Sequence, residues 1–469
     1  MHHFNATIMK KFNKYIYCCL VTTVILQASS CSKFLEVETP VGEVSSSTVF
    51  NSESSAQAAV VGLYSQVMVT NNYFLNGGLS LYGGLYADEL YNTSANSNYD
   101  PFKSSSLTSA NSIVSNNLYR FAYNYIYQAN LILENLPEAR ISDNNKLRYT
   151  GEMFFMRSLC YFYLVNLWGD VPLILSTDQE VNRIATRTNK LDIYKQLISD
   201  LLQAEIQLKD QSTDVEKSRP DLYAVKLLLS RAYLYQKDYR NAFAKADEVI
   251  QSGKYSLEQD LTKVFLAGSK ETILQFRPLG PNFNTAEGFT FLPSSSTASP
   301  TISLFANWMK TFESTDQRQT QWVTKRTSGS VNYYFPAKYK IRSNAVKTEF
   351  NIALRLAEAY LIRSESNFRL NNYENAITDL NVIRKRAGLT DLPLDLPANQ
   401  YEETLMQERS HEFFAEWGHR WLDLKRWDKA AVILSSVKTE WNAYKELFPI
   451  PNYEIIRNTK MTQNEGYND

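Results

Sequence analysis

Apolar side chains recur every three to four positions along most of the chain, a spacing that predicts amphipathic helices. Small polar or Pro-containing turns separate these stretches, so neighbouring helices are expected to run antiparallel. The pattern predicts a mainly α protein. The predicted helices cover residues 45–66, 118–135, 145–167, 191–208, 221–236, 239–252, 351–370, 373–387 and 401–428.

Two long segments lack this period and are predicted to be mostly loop. Residues 71–118 are rich in Gly, Ser, Asn and Tyr, carry no charge between Lys103 and Arg120, and contain two glycine pairs, 77–78 and 83–84, expected to form turns. Residues 276–347 carry prolines at 278, 281, 293, 300 and 336, which makes helix improbable over most of that segment. Loops of this length in compact proteins tend to be functional or disordered.

A repeat links two of the helix pairs. A group of four residues that opens the second helix of one pair returns 134 positions later: Tyr239, Asn241, Ala242 and Val249 match Tyr373, Asn375, Ala376 and Ile383. Alanine at the crossing lets the paired helices approach closely. The pattern resembles degenerate tetratricopeptide units. Two unrelated amphipathic hairpins are the alternative interpretation.

The N-terminus has the layout of a secretory signal. Lysines at 10, 11 and 14 precede an apolar stretch at 15–26 and small residues at 28–30, and Met9 is the expected start. The apolar stretch is shorter than the roughly 20 residues that span a bilayer. The order resembles a bacterial lipoprotein signal, in which Cys31 becomes the lipidated first residue. Ordinary secretory cleavage near Ser30 is the alternative.

Composition narrows the function classes further. The chain balances 49 Lys and Arg against 49 Asp and Glu, so no net charge would attract nucleic acid. Four cysteines do not form a disulfide framework in 469 residues, and Cys160 lies in an apolar helix where a buried, inert thiol is expected. Aromatic residues make up 13% of the chain, and Tyr is the commonest. An excess of tyrosine is typical of a solvent-exposed surface that also presents the flat apolar faces of aromatic rings.

Catalytic motifs are scarce. His411 and Glu412 resemble the start of a zinc-protease helix motif, but Ala415 stands where the second histidine would be needed. No nucleophile elbow, phosphate loop or dinucleotide glycine pattern is present. The sequence motifs therefore give no support for catalysis, and we predict no metal and no cofactor. Paired carboxylates such as Asp88 and Glu89 leave a glycoside hydrolase open.

The densest run of charged and aromatic residues spans 408–427. We predict that this run is buried where helices pack against each other and that it contributes to stability. Trp417 and Trp421 are one helical turn apart and are expected to share a packed face. The charged side chains of this run can pair along or between helices. They are Arg409, Glu412, Glu416, Arg420 and Asp423.

The same run, with Gly418-His419-Arg420-Trp421 before Asp423-Leu424, resembles the signature of the SusD/RagB family of Bacteroidetes surface lipoproteins. Three further stretches and the repeats agree with that family over essentially the whole mature chain. The stretches are Cys31-Ser32-Lys33-Phe34-Leu35-Glu36; Arg157 to Pro172 with Leu167-Trp168-Gly169-Asp170; and Leu447 to Tyr467 with Pro449-Ile450-Pro451, Gln463-Asn464 and Gly466-Tyr467.

The resemblance implies a SusD-like fold and a nutrient-binding protein that is not an enzyme. Such a protein would be lipid-anchored on the outer face of the outer membrane and would deliver oligosaccharide to a SusC-like TonB-dependent transporter. A peptide ligand, a glycoside hydrolase of the same locus and a protein-binding scaffold remain alternatives. We divide the chain into a signal peptide at 1–30, an N-terminal region with repeats at 31–260 and a C-terminal region at 261–469, expected to form one compact unit.

The ligand site is expected on loops 71–103 and 276–347, because their aromatic residues follow no helical period. The helical repeats are expected to face the transporter instead. The candidate ligand-binding residues are Tyr91, Asn96, Asn98, Tyr99, Phe102, Trp308, Trp322, Tyr333 and Tyr334. Trp308 could instead be the core residue of a short helix.

Overall fold

Helices dominate the computed structural model, which describes residues 50–211 and 214–467. The proposed signal peptide and Cys31 lie outside these residues. The helices of the first half are α1 Glu53–Val69, α2 Gly78–Tyr86, α3 Asp100–Ser104, α4 Arg120–Asn135, α5 Asp143–Trp168, α6 Gln179–Asn182, α7 Lys190–Gln207, α8 Leu222–Tyr235 and α9 Tyr239–Gln251. Those of the second half are α10 Ala286–Phe291, α11 Ala306–Met309, α12 Gln317–Gln321, α13 Leu356–Arg369, α14 Tyr373–Arg386, α15 Ala398–Phe413, α16 His419–Arg426, α17 Ala430–Leu434 and α18 Asn452–Arg457.

Short antiparallel strand pairs join segments that are distant in the sequence. The strands are β1 Leu90–Asn92, β2 Val171–Pro172, β3 Arg187–Thr188, β4 Thr272–Phe276, β5 Ile302–Leu304, β6 Val323–Ser328, β7 Val331–Pro336 and β8 Asn351–Arg355. Strand β1 pairs with β5, β2 with β3, β4 with β8, and β6 with β7. A π-helical segment, Ile113–Tyr119, leads into α4, and short 3-10 turns lie at Ser97–Tyr99, Leu261–Lys263 and Ala443–Glu446.

The repeat corresponds to two equivalent helix pairs, α8 with α9 and α13 with α14. In the first pair the Ser230 hydroxyl donates to the Ala242 carbonyl at 2.8 Å, and in the second the Ser364 hydroxyl donates to the Ala376 carbonyl at 2.6 Å. Both alanines are fully buried. Helix α9 packs against α13, so the two pairs stack side by side. The predicted repeat is confirmed.

The predicted loop at 71–118 is wrong in part, because α2 runs through it. Every residue of α2 is buried, as expected for a helix that is apolar on all sides. Its glycines allow close packing: a Cβ atom on Gly83 would lie 2.7 Å from the Cα atom of Gly418. Of the four glycines predicted to form turns, only Gly77 has a left-handed backbone, with φ of 79°.

The single helix predicted at 401–428 is also wrong. It breaks between α15 and α16, where Ala415, Trp417 and Gly418 have φ of 54°, 47° and 69°. This region is unfavourable for residues with a side chain, and tertiary hydrogen bonds hold the turn in place. The Ala415 amide donates to Glu89 Oε1 at 3.1 Å, and the Trp417 amide donates to Ser80 Oγ at 2.9 Å. Trp417 and Trp421 are both buried, but they do not lie on one continuous helix.

Other boundaries differ in smaller ways. The helix predicted at 351–370 begins only at Leu356, because residues 351–355 form strand β8 against β4. The first helix begins at Glu53, where Ser52 caps it through the Ser55 amide. The segment 276–347 contains only short helices together with strands β5, β6 and β7, as its prolines predict.

A buried ionic network connects the second half of the fold. Glu412 accepts hydrogen bonds from Arg318 at 3.1 Å and from Arg355 and Arg386. Glu271 accepts from both Arg355 and Arg386 at 2.9 Å. These side chains are at most 2% exposed. The predicted charge pairing along 408–427 is therefore confirmed. These ion pairs join side chains from different helices and strands.

Helix α5 is 26 residues long and largely buried. Its Cys160 is fully buried, and burial raises the pKa of its thiol. The prediction of an inert thiol agrees with this environment. Among the helices of residues 50–211 and 214–467, none has the length and apolar character needed to span a bilayer.

Candidate functional site

Strands β1 and β5 bring the two predicted ligand-binding segments together. Tyr91 lies opposite Ser303 in the antiparallel register. The ring of Phe305, just after β5, has its centroid 5.0 Å from that of Tyr91. The Phe305 amide donates to the Glu89 carbonyl at 3.1 Å, which fixes the two segments to each other. One surface therefore carries aromatic side chains from both segments.

The β6–β7 hairpin adds a third aromatic side chain to this surface. Strand β7 lies beside β5, and Tyr333 and Tyr334 are both partly exposed. The pKa of Tyr91 is raised by partial burial and also by its electrostatic interaction with Tyr333. Because successive side chains of a strand point to opposite faces, Tyr333 and Tyr334 lie on opposite faces of the hairpin, and the electrostatic interaction identifies Tyr333 as the one near Tyr91. We define Tyr91, Phe305 and Tyr333 as the aromatic surface.

A short turn beside β1 holds three more of the predicted residues. Asn96 and Asn98 are exposed, and Asn96 Oδ1 accepts a hydrogen bond from the Asn98 amide at 3.1 Å. The ring of Tyr99 is partly exposed, with its centroid 6.3 Å from that of Tyr82. Asn92 in β1 donates to the Asn96 carbonyl at 2.9 Å, so the turn is tied to the strand that carries the aromatic surface.

Three of the predicted residues have buried side chains: Phe102 and Trp322 are enclosed by protein, which contradicts their assignment to ligand binding, whereas Trp308 borders a groove. Trp322 is fully buried, and its Nε1 donates to the Leu261 carbonyl at 2.9 Å. Phe102 is also fully buried, stacked on Tyr82 with centroids 4.8 Å apart. Trp308 is 5% exposed and donates through Nε1 to Ser410 Oγ at 2.9 Å. A ring enclosed by protein offers no free face to a ligand. Trp308 fits the alternative of a core residue in a short helix, but it also lines the groove described next, so its role in ligand binding stays a prediction.

A groove of about 1090 Å³ begins at the aromatic surface. It lies between α15, α17 and the segment 305–311, and Phe305 lines it. Its other apolar lining side chains include Met406, Val432 and Ile433, and Asn307 and Asn399 contribute exposed amides. Of its lining residues, only Trp308 is among the ligand-binding candidates predicted from the sequence. Val432, which is 72% exposed on α17, marks the groove as an apolar surface only once the structure is known.

Two ion pairs lie in the lining of the groove. Both carboxylate oxygens of Asp88 accept hydrogen bonds from Arg420, at 2.7 and 2.8 Å. Burial alone would raise the pKa of Asp88, but Arg420 outweighs burial and lowers it. Arg369 and Glu402 form a second pair at 2.5 Å.

The carboxylates of Asp88 and Glu89 are not arranged as a glycosidase pair. Asp88 is occupied by Arg420, whereas Glu89 is only 1% exposed and burial raises its pKa to about 8. His411 is buried too: its ring stacks on Phe312, with centroids 3.9 Å apart, and burial lowers its pKa well below the ordinary value. Within the described part of the chain, no cluster of His, Cys, Asp and Glu suits a metal ion.

Comparison with protein families gives two adjoining matches. Residues 234–467 match the model described as the SusD family, and residues 33–234 match one described as starch-binding and associating with the outer membrane. Among curated relatives, SusD-like protein P25 of Formosa agariphila is 26% identical, over 95% of this chain and 97% of that protein. The starch-binding protein SusD of Bacteroides thetaiotaomicron is 26% identical, over 70% of this chain and 74% of that protein.

Solved structures show the same fold. A SusD superfamily protein from Bacteroides vulgatus superposes with a TM-score of 0.79 at 21% identity, covering 89% of this chain and 100% of that one. A laminarin-binding SusD-like protein superposes with a TM-score of 0.72 at 23% identity, covering 89% and 100%. The mainly α, SusD-like fold predicted from the sequence is thereby confirmed.

Proposed function

Because the chain belongs to the SusD family, we propose that it is a glycan-binding protein of the outer membrane and not an enzyme. Relatives named for binding starch and laminarin support a carbohydrate ligand. The description of the N-terminal match as associating with the outer membrane supports the location. Asp88 is paired with Arg420, and Glu89 is buried. Both observations argue against a glycosidase centre at these residues.

The observation that carries this proposal is the aromatic surface of Tyr91, Phe305 and Tyr333. Aromatic rings can pack on the apolar C–H faces of sugar rings, while amide side chains bond hydroxyl groups at their edges. Tyr91 and Phe305 lie 5.0 Å apart between centroids, and the exposed amides of Asn96 and Asn98 belong to the neighbouring turn. Tyr99 and Tyr334 remain candidates at the margin of this surface.

The proposal includes an anchor and a partner. Cys31 would carry lipid that holds the protein at the outer face of the membrane, and the bound glycan would pass to a SusC-like TonB-dependent transporter. The stacked helix pairs α8–α9 and α13–α14 would face that transporter. The lipoprotein-like order of residues before Cys31 supports the anchor, and the family resemblance suggests the partner.

A single incubation separates the main alternatives. Purified protein incubated with starch or laminarin should retain the polysaccharide, and reducing ends should not accumulate. Reducing ends that appeared in wild-type protein and vanished on substitution of one carboxylate would establish a glycoside hydrolase. Retention of peptides but not glycans would favour the peptide-binding alternative, and retention of neither would favour a scaffold.

Tyr91→Ala and Tyr333→Ala should each weaken glycan binding by roughly 1 to 3 kcal/mol, if stacking on sugar resembles stacking on a nucleobase. Both rings are partly exposed, so thermal stability should change little. Calorimetry with a glycan identified by array binding measures the effect. Tyr373→Ala, which removes a ring 45% exposed on a repeat helix, should leave affinity unchanged. Wild-type affinity in both surface variants would place the site elsewhere.

Cys31→Ser should release the protein from membranes. A lipoprotein anchor brings at least two acyl chains, and two are enough for stable attachment where a single chain is marginal. Fractionation of cells that express each variant measures the change. Cys160→Ala, at a buried thiol, should remain in the membrane fraction. Membrane retention of the Cys31 variant would contradict the proposed anchor.

A further inference from the structure

We propose that the groove between α15 and α17 binds the continuation of a glycan held at the aromatic surface, and that the ligand is an uncharged oligosaccharide of several units. This inference rests on the proposed function. It adds a second binding region and a charge class for the ligand. Three properties of the groove support it: its continuity with the aromatic surface, its size and the pairing of its charges.

Continuity comes from the segments that border both regions. Phe305 lines the groove, and its ring also packs against Tyr91. Asp88 lines the groove as well, and it lies just before β1, which carries Tyr91. A ligand lying on the Tyr91 ring can therefore extend across Phe305 into the groove without leaving the protein surface.

The size of the groove exceeds the need of a single sugar ring. Its volume is about 1090 Å³, slightly above the range of roughly 300 to 1,000 Å³ for sites that enclose drug-sized ligands. The aromatic surface at one end adds to this size, which suits a chain of sugars rather than a monosaccharide.

The charges of the groove favour a neutral ligand. Arg420 is paired with Asp88, and Arg369 with Glu402. The remaining charged lining residues, Glu403 and Lys429, have opposite formal charges, so the lining carries three acidic and three basic side chains. Binding sites for sulfated or uronic glycans need basic groups that are available to anions, whereas the two arginines of this groove already hold carboxylates.

The uncharged lining residues suit sugar hydroxyls and C–H faces. Asn307 and Asn399 are exposed and each offers an amide with both donors and an acceptor. Met406, Val432 and Ile433 supply apolar area beside them. Such a lining would also accept an apolar peptide, but continuity with the tyrosine surface favours a glycan.

The test uses a matched pair of arginine substitutions. Val432→Arg places a long charged side chain in the groove at a position that is 72% exposed, so the fold should tolerate it. Val181→Arg makes the same change on α6, outside the lining of the groove, at a position that is 58% exposed. Calorimetry is performed with laminarin- and starch-derived oligosaccharides of increasing length, and with carboxymethylated laminarin as the charged probe.

Wild-type affinity should rise with chain length. Val432→Arg should weaken binding of the longest oligosaccharide at least about tenfold, a loss of roughly 1.4 kcal/mol, and leave the shortest bound fragment unchanged. Val181→Arg should match the wild type at every length. Carboxymethylated laminarin should bind more weakly than laminarin.

Several outcomes would overturn the inference. Affinity of the wild type that does not depend on oligosaccharide length would do so, as would Val432→Arg protein that binds long chains with wild-type affinity. Stronger binding of the carboxymethylated probe than of laminarin would contradict the neutral ligand, and competition by an apolar peptide confined to the groove would contradict a glycan. In each of these cases a loss of affinity in Tyr91→Ala would leave the proposed glycan-binding function intact. If the wild type binds none of the glycans, both the inference and the proposed function fail.

Discussion

Glu412→Gln should lower the free energy of unfolding by about 3 to 5 kcal/mol, the range for breaking a buried ion pair. Three arginines, Arg318, Arg355 and Arg386, donate to this one carboxylate. The substitution keeps the shape of the side chain and removes its charge, so buried guanidinium groups lose a negative partner. Chemical denaturation at neutral pH measures the change.

The pH dependence of this effect has a defined sign. Burial alone would raise the pKa of Glu412, but Arg386, Arg355 and Arg318 together hold it well below the ordinary value of 4.5. The carboxylate therefore contributes stability above pH 4.5, and that contribution is lost as pH falls toward the folded-state pKa. The stability difference between wild type and Glu412→Gln should shrink over that acidic range.

Glu180→Gln is the matched control. It makes the same chemical change in an exposed pair, where Glu180 and Arg183 have 77% and 67% of their side chains accessible. Solvent-exposed ion pairs contribute at most about 1 kcal/mol to the free energy of unfolding. If Glu412→Gln were as stable as this control, the buried network would not contribute to stability as we describe.

Trp421→Ala should also lower the free energy of unfolding by about 3 to 5 kcal/mol, because it leaves a large cavity in the core. Trp421 is fully buried, and its ring centroid lies 4.9 Å from that of Tyr86 and 6.0 Å from that of Trp441. Tyr86 belongs to α2, so the substitution loosens contact between the two halves of the sequence. The expected result is a lower melting temperature.

Tyr453→Ala, at a side chain that is 56% exposed, is the control and should melt close to the wild type. Glycan affinity distinguishes a structural role for Trp421 from a binding role. A Trp421→Ala protein that melts normally but fails to bind glycan would show that this tryptophan belongs to a binding site and not to the core.

Sequence periodicity predicts the helix pairs well, because each pair buries one apolar stripe against its neighbour. It fails where tertiary contacts decide the local structure. Helix α2 contains three glycines and no charge, so its composition suggests a loop, although Gly83 allows close packing against Gly418. The break at 414–418 depends on hydrogen bonds that its amides donate to Glu89 and Ser80, which lie far away in the sequence.

The candidate site was predictable only at the level of segments. Loops 71–103 and 276–347 do meet, through β1 and β5. Within them, nothing local separates partly exposed Tyr91 and Tyr333 from buried Trp322, whose place depends on Leu261 and other distant residues. The groove is less predictable still, since Asp88, Phe305 and Ile433 come from three separate parts of the chain.

The stacked helix pairs affect how the chain must fold. Helix α9 ends at Gln251, and its packing partner α13 begins only at Leu356. Arg363 joins the two helices through Asp247 at 2.6 Å. In an ordinary solenoid each repeat can dock on its predecessor at once, but here residues 252–355 must be synthesised first, and such long-range contacts slow folding. Chains that terminate within this insertion should therefore expose the α9 face and be prone to aggregation or proteolysis.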